Sequence, residues 1–269
     1  MSNSRFQIID VVKMQDLMQI PPPTRSLIRP SIRLIVKPES VNTTEQPLLK
    51  NEASHFSLSK ENNTFPTLPL ILGIDCSETA KILPEALLPS EGTLLVYFDL
   101  ERYLNDYPDV KQCHKMTYVN YNDSLGYKSV DFGYFIEPTL PHYDPFDSLT
   151  LQRMGLGVNL TEEEMFAYWK VQENMRRYNG ITSTSLHRLF GYPDPLQVDM
   201  ENACISYFDK RLNQAVNDSK PQCCFLLQID SDQYLSKSWG DGGRLYFWIL
   251  QSDLEKQDFS RTWVHLQDS

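Results

Sequence analysis

The sequence predicts an α+β fold, with strand-rich mixed sheets built from two related halves and a few packing helices. Three observations carry that expectation. Apolar runs of strand length are frequent, one pair of such runs recurs about 150 residues later, and few segments show helical spacing. The chain has 269 residues, 41% of them apolar and 22% charged. That is enough to bury a sizeable core and too apolar for a disordered chain.

The elements follow in order. Residues 6–20 carry Phe6, Ile8, Ile9, Val11, Val12, Met14, Leu17, Met18 and Ile20, with helical spacing in the second half, and Pro21–Pro23 is expected to end that helix. Residues 1–30 therefore read as an amino-terminal helix and lead-in, and 31–269 as a single domain. From Ser31 to Lys37, Ile32, Leu34 and Val36 alternate with Arg33, Ile35 and Lys37, as in a half-buried strand. Residues 39–64 are polar and read as a long excursion. Leu70-Ile-Leu-Gly-Ile-Asp75 is then echoed by Phe225-Leu-Leu-Gln-Ile-Asp230. Each run is followed by a polar segment and a glycine-led strand, Gly92–Phe98 and Gly243–Ile249, which defines an internal repeat over about 68–100 and 223–254. Thr161-Glu-Glu-Glu164 is a capping box, followed by Met165, Trp169, Gln172 and Met175 or Arg176 as a stripe, and the helix should stop before Asn179-Gly180. A second helix is expected from Asp199 to about Asn213, with Met200, Ala203, Cys204, Tyr207 and Phe208 on its apolar side.

Charge narrows the partners. The chain holds 35 acidic and 25 basic side chains, a formal net charge of −10. Only residues 1–50 are net basic, by +3, and three charges spread over fifty residues do not make a nucleic-acid footprint. An acidic surface repels polyanions and raises the association rate of basic partners. The longest stretch free of charge, Asn62–Ile74, has 13 residues and two prolines, short of a membrane span. Asp10, Lys13 and Asp16 interrupt any secretory h-region, so the expected location is cytoplasmic. Five cysteines without C-x-x-C spacing read as reduced thiols, with Cys223 and Cys224 expected in packing positions.

No metal, nucleotide or nucleophile-elbow motif is present, and no cofactor, metal ligand or catalytic residue is assigned. Two constellations come closer to chemistry. One is Leu186–Met200, where a turn holding Gly191, Pro193 and Pro195 gathers His187, Arg188, Asp194, Gln197 and Asp199. In the structural reading Gly191 and Pro193 make the turn, Asp194 and Gln197 satisfy backbone donors, and Asp199 caps the next helix. The other is Asp230-Ser-Asp232 with Trp239-Gly-Asp-Gly-Gly243, whose glycines suit a tight turn into the following strand. The alternative is a hydrolase-like enzyme, or a small-ligand or metal-binding protein, in which His187, Asp199, Asp230 and Asp241 converge.

These motifs carry a family resemblance. His187–Met200, Leu226–Asp232, Trp239–Ile249 and Asp253–Gln267 resemble the YwqG-like bacterial family of unknown function, as do Ile28–Leu34 and Ser54-His-Phe56. The match is dense over 186–267 and sparser over 28–100. Gly73 stands where the family has a glutamine, and Ser57–Thr67 lacks the family's tryptophan. The resemblance implies a strand-rich α+β fold whose motif residues (His187, Gly191, Pro193, Asp194, Gln197, Asp199, Gln228, Asp230, Gly240 and Gly243) form a scaffold. It also implies an immunity role, because such proteins are encoded near polymorphic toxins and secretion-system effectors, including those of type VI secretion. The expected partner is a cognate toxin with a basic surface. Candidate contacts are Tyr121, Tyr127, Tyr134, Tyr143, Trp239 and Asp241, and a structural role in a larger secretion complex is a third possibility.

Overall fold

The computed structural model describes residues 22–37, 68–106, 112–120, 132–143, 160–177, 185–198, 200–212, 222–233, 235 and 238–268. Over these residues the protein is α+β, with a six-stranded and a three-stranded sheet whose ladders are antiparallel throughout. The expected helix over 6–20 and the excursion over 39–64 lie outside the described residues. Whether the proline triplet ends a helix over 6–20 lies outside the described residues, but it opens one: α1 (Pro22–Arg25) begins on Pro22. Proline suits a first helical turn, where its missing N–H would have had no partner.

Strand β1 (Arg29–Val36) follows. β2 (Leu70–Asp75), α2 (Cys76–Ile82), β3 (Thr93–Phe98), α3 (Leu100–Asp106) and β4 (His114–Val119) make the smaller sheet, in the order β2-β3-β4. β5 (Phe132–Thr139) returns to β1. After α4 (Glu162–Arg176) come β6 (Arg188–Leu189), α5 (Glu201–Leu212), β7 (Cys223–Asp230), β8 (Arg244–Leu250), α6 (Gln251–Leu254), a 3-10 turn (Phe259–Arg261) and β9 (Trp263–Gln267). The larger sheet runs β5-β1-β6-β7-β8-β9.

The echoed runs form two hairpins in the same register. Asp75 faces Thr93 as Asp230 faces Arg244, and Leu72 faces Val96 as Leu227 faces Phe247. Both ladders shift at the matching place, between Leu70 and Leu72 and between Phe225 and Leu227, so each hairpin takes its extra twist at the same point. Each second strand leads into a helix and then pairs with a third antiparallel strand, β4 or β9. The two units meet where β4 packs on the turn that leads into β9: the His114 imidazole lies 3.0 Å from the Thr262 carbonyl.

One apolar cluster draws side chains from both sheets, including Ile32, Leu34, Ile74, Leu94, Phe98, Leu227, Trp239, Phe247 and Val264. A second cluster joins α4 to the lead-in through Leu27, Leu140, Tyr143, Tyr168, Val171 and Met175. The capping box of α4 is formed: Thr161 Oγ1 accepts the Glu164 amide, and the Glu164 carboxylate accepts the Thr161 amide. The helix ends at Arg176, ahead of Asn179-Gly180. Its buried stripe is Tyr168, Val171 and Met175, whereas Trp169 of the expected stripe is exposed. α5 covers the core with Cys204, Ile205 and Phe208, and Ala203 faces outward.

Candidate functional site

The strand alternation that places Ile32 and Leu34 in the core directs Arg33 to the other face of β1, where it too is buried. Arg33 is 0% exposed, which corrects the outward reading of that position. A buried guanidinium needs a matched carboxylate. β5 supplies it, since Arg33 faces Phe135 in the ladder and Glu137 lies two residues further along β5, on the same face. Glu137 Oε2 accepts Arg33 Nε at 3.0 Å, and Oε1 accepts Arg188 Nε at 2.6 Å from β6 on the other side of β1. Glu137 is 1% exposed, so two guanidinium groups hold one carboxylate out of reach of bulk water.

A second set of charges lies at the ends of β7 and β8. Asp194 is paired with Arg176 from α4 and with Arg244, whose Nη1 donates to Oδ2 at 2.7 Å. Arg244 Nε donates to Asp230 Oδ1 at 2.5 Å, and Asp230 Oδ2 accepts the Leu186 amide at 2.7 Å. Burial by itself would raise the Asp194 pKa, but Arg176 and Arg244, helped by Arg188, hold it below the ordinary carboxylate value.

Uncharged side chains hold the 185–198 loop against the sheet. Gln228 accepts the Asp194 amide and donates to the Leu186 carbonyl. Gln267 accepts the Leu196 and Gln197 amides and donates to the Val198 carbonyl. His187 Nδ1 accepts the Asp230 amide at 3.1 Å, which places the ring proton on Nε2, 3.0 Å from Asp232 Oδ2. The loop turns at Gly191, with φ 70°, and a Cβ there would run into Thr139 Oγ1 and Ser31. Phe190 just before it also has a positive φ, 59°, a conformation costly for an aromatic residue. A Cβ on Gly243 would meet the Trp239 carbonyl, which explains the glycine turn into β8.

The residues singled out in the sequence fall into distinct places. His187, Asp194, Gln228 and Asp230 belong to this buried network. Asp194 corrects one expectation: its carboxylate binds arginines, and Gln267 satisfies the backbone donors assigned to Asp194 and Gln197. Gln197 instead donates to the Asp268 carbonyl. Gly240 takes the left-handed turn with φ 64°, and Pro193 lies in the loop against β5 and α4. Tyr134 is half-buried, and its hydroxyl accepts the Asp75 amide at 2.9 Å, linking β5 to the smaller sheet. Tyr143 and Trp239 are buried, Tyr143 against Tyr168 and Trp239 edge-on to Phe98, so neither offers the partner surface expected of it. Asp241 is exposed on its turn. Tyr121, Tyr127 and Asp199 lie outside the described residues.

His187 and Asp230 do meet, but each is committed to backbone and charge partners within the frame. To take a proton from a substrate, His187 would have to give up the Asp230 amide. Burial pushes the thiol of Cys76 up to about 12 and that of Cys224 to about 11, so neither is an activated nucleophile. Cys223 and Cys224 are half-buried rather than fully enclosed. Among the described residues no three His, Cys, Asp or Glu side chains are grouped to hold a metal ion.

The model of a domain of unknown function, DUF1963, matches residues 44–267. The chain belongs to the DUF1963 family. Within the matched span lie Glu137, the 185–198 loop, and both strands that complete its charge network. Strand β1, which brings Arg33 into the DUF1963 sheet between β5 and β6, precedes the span. No curated protein matches the sequence. Among the described residues no helix is long and apolar enough to cross a membrane.

Proposed function

We propose that this DUF1963 protein is a non-enzymatic cytoplasmic binding protein, an immunity protein that neutralises a cognate bacterial toxin or secretion-system effector by direct contact. The assignment to YwqG-like proteins is part of the same proposal and rests on the motifs of 186–267. One observation carries the binding reading. On the outer side of α4, Phe166 is 65% and Trp169 45% exposed, with their rings edge-to-face at 5.8 Å. Large exposed aromatics on one helix are suited to anchor an interface. Glu162, Glu163, Glu164 and Glu173 lie on the same helix, against Lys170 and Arg176, and the chain as a whole carries −10. That combination favours a partner that is basic around an apolar pocket, as expected of a toxin that acts on nucleic acid or nucleotides.

The motif side chains support the same reading from the other direction. They hold the loop and sheet together, which is what an inhibitor's frame requires, and α4 presents a contact face on that frame. Co-expression with the secreted toxin encoded beside the gene is expected to give a stable complex and to protect the cell. Trp169→Ala and Phe166→Ala should each weaken the complex by about tenfold or more while leaving the circular dichroism unchanged. If the neighbouring gene product neither co-purifies nor is neutralised, the proposal fails.

A further inference from the structure

The buried charges are not evenly matched. Glu137 is shared by Arg33 and Arg188, and Asp194 by Arg176 and Arg244. Asp230 answers Arg244, while Glu173, the other partner of Arg176, is also held by Arg177. Positive charge is therefore in excess around Glu137, and one atom shows where it goes unanswered. Arg188 gives Nε to Glu137 and Nη1 to the Tyr192 carbonyl, and among the described residues its Nη2 has no hydrogen-bond partner, although the side chain is only 6% exposed. That N–H is not among the fully buried unpartnered atoms, so it still reaches solvent, and an anionic oxygen there would replace water with a charge-assisted hydrogen bond. Arg188 lines a small, shallow hollow, open to solvent, between the end of β5, α4 and the 193–194 turn. Arg176, Gln172, Thr139 and Asp194 line it as well.

We propose that this hollow binds a compact carboxylate, with one oxygen on Arg188 Nη2 and the other facing the Arg176 guanidinium. The planar fork of arginine matches a carboxylate in geometry, and a single negative charge balances the excess. Asp194 and Glu173 beside Arg176 disfavour a dianion, which selects a carboxylate over phosphate. A small organic acid and the free end of a peptide offer the same chemistry. The site is independent of the aromatic face of α4 and of any toxin.

The full chain, labelled at its arginine side chains, would be titrated at constant ionic strength with acetate, phosphate, and a short peptide with a free or an amidated carboxyl end. Acetate is expected to move the Arg188 Nε–H signal saturably. Tighter binding of the free-ended peptide than of acetate or its amide assigns the site to a peptide end, and equal or weaker binding assigns it to a free acid. Arg188→Lys, which keeps the charge facing Glu137 but loses the fork, should weaken acetate binding by about tenfold. Should that variant not fold, Arg176→Gln, at a partly exposed side chain, should show a loss of about threefold to tenfold. No saturable shift, undiminished binding in the variant that folds, or phosphate binding more tightly than acetate would overturn the proposal.

Discussion

The outcome of a single substitution depends on whether it removes one member of the charge network or both. Glu137→Gln would leave Arg33 and Arg188 buried beside each other without their carboxylate. Breaking a buried ion pair in this way costs about 3–5 kcal/mol, which a urea titration of the variant against the wild type would measure as a lower midpoint at similar slope. Asp194 sets a pH dependence. Its pKa in the folded protein lies below the ordinary value of 3.8, so the unfolded chain takes up this proton first as pH falls. The stability Asp194 supplies is complete above that ordinary value and is lost as pH drops through the lower folded one. Unfolding midpoints followed between about pH 6 and 2 should show that loss in the wild type and a smaller one in Asp194→Asn. At this scale the sequence was legible in part. His187, Asp194 and Asp230 stood out because they were gathered round a turn. Arg33 carried a usable signal too, a charge inside the apolar run Ile32–Val36, but alternation alone assigned it to solvent. Its counter-charge is 104 residues away, and nothing local announces it.

At the scale of elements, signals that act within one turn or one hairpin were readable. The capping box of α4 depends only on Thr161 and Glu164, three residues apart, and it forms as expected. Thr161→Ala should cost about 1 kcal/mol and speed amide exchange in the first turns of α4 more than in β7 or β8. Equal acceleration everywhere would count against a local role for the cap. The buried face of the same helix was misread because two apolar stripes overlap along it. Met165 and Trp169 lead one, Tyr168 and Val171 the other, and both reach Met175. Met165 also packs on the Leu27 cluster and Trp169 lies edge-on to Tyr143 at 6.1 Å, so spacing cannot say which becomes the enclosed one. The short repeat was the most informative signal, since the equivalence of Asp75 with Asp230 reappears as equal strand register and an equally placed bulge. Yet equivalent positions carry different work. Asp75 caps α2 by accepting the Ser77 and Glu78 amides, whereas Asp230 holds Arg244 and the Leu186 amide.

For the whole molecule, strand order was beyond the sequence. β1 sits between β5 and β6, and its partners leave no signature at short range because any apolar run of the right length could pair with it. That placement has a kinetic consequence. The hairpins β2-β3 and β7-β8 close over short loops, while β1 finds β5 only across some hundred residues and β6 across still more. Loop closure over such spans delays pairing, so β1 is expected to enter the sheet after its neighbours have formed. Ile32→Val, at a cost of about 1 kcal/mol, should then raise the unfolding rate about fivefold and leave the folding rate nearly unchanged. A stopped-flow chevron in which the folding limb falls instead would place β1 in the nucleus. If β1 is late, Arg33 keeps its hydration through most of folding and surrenders it only when Glu137 is already in place to receive it.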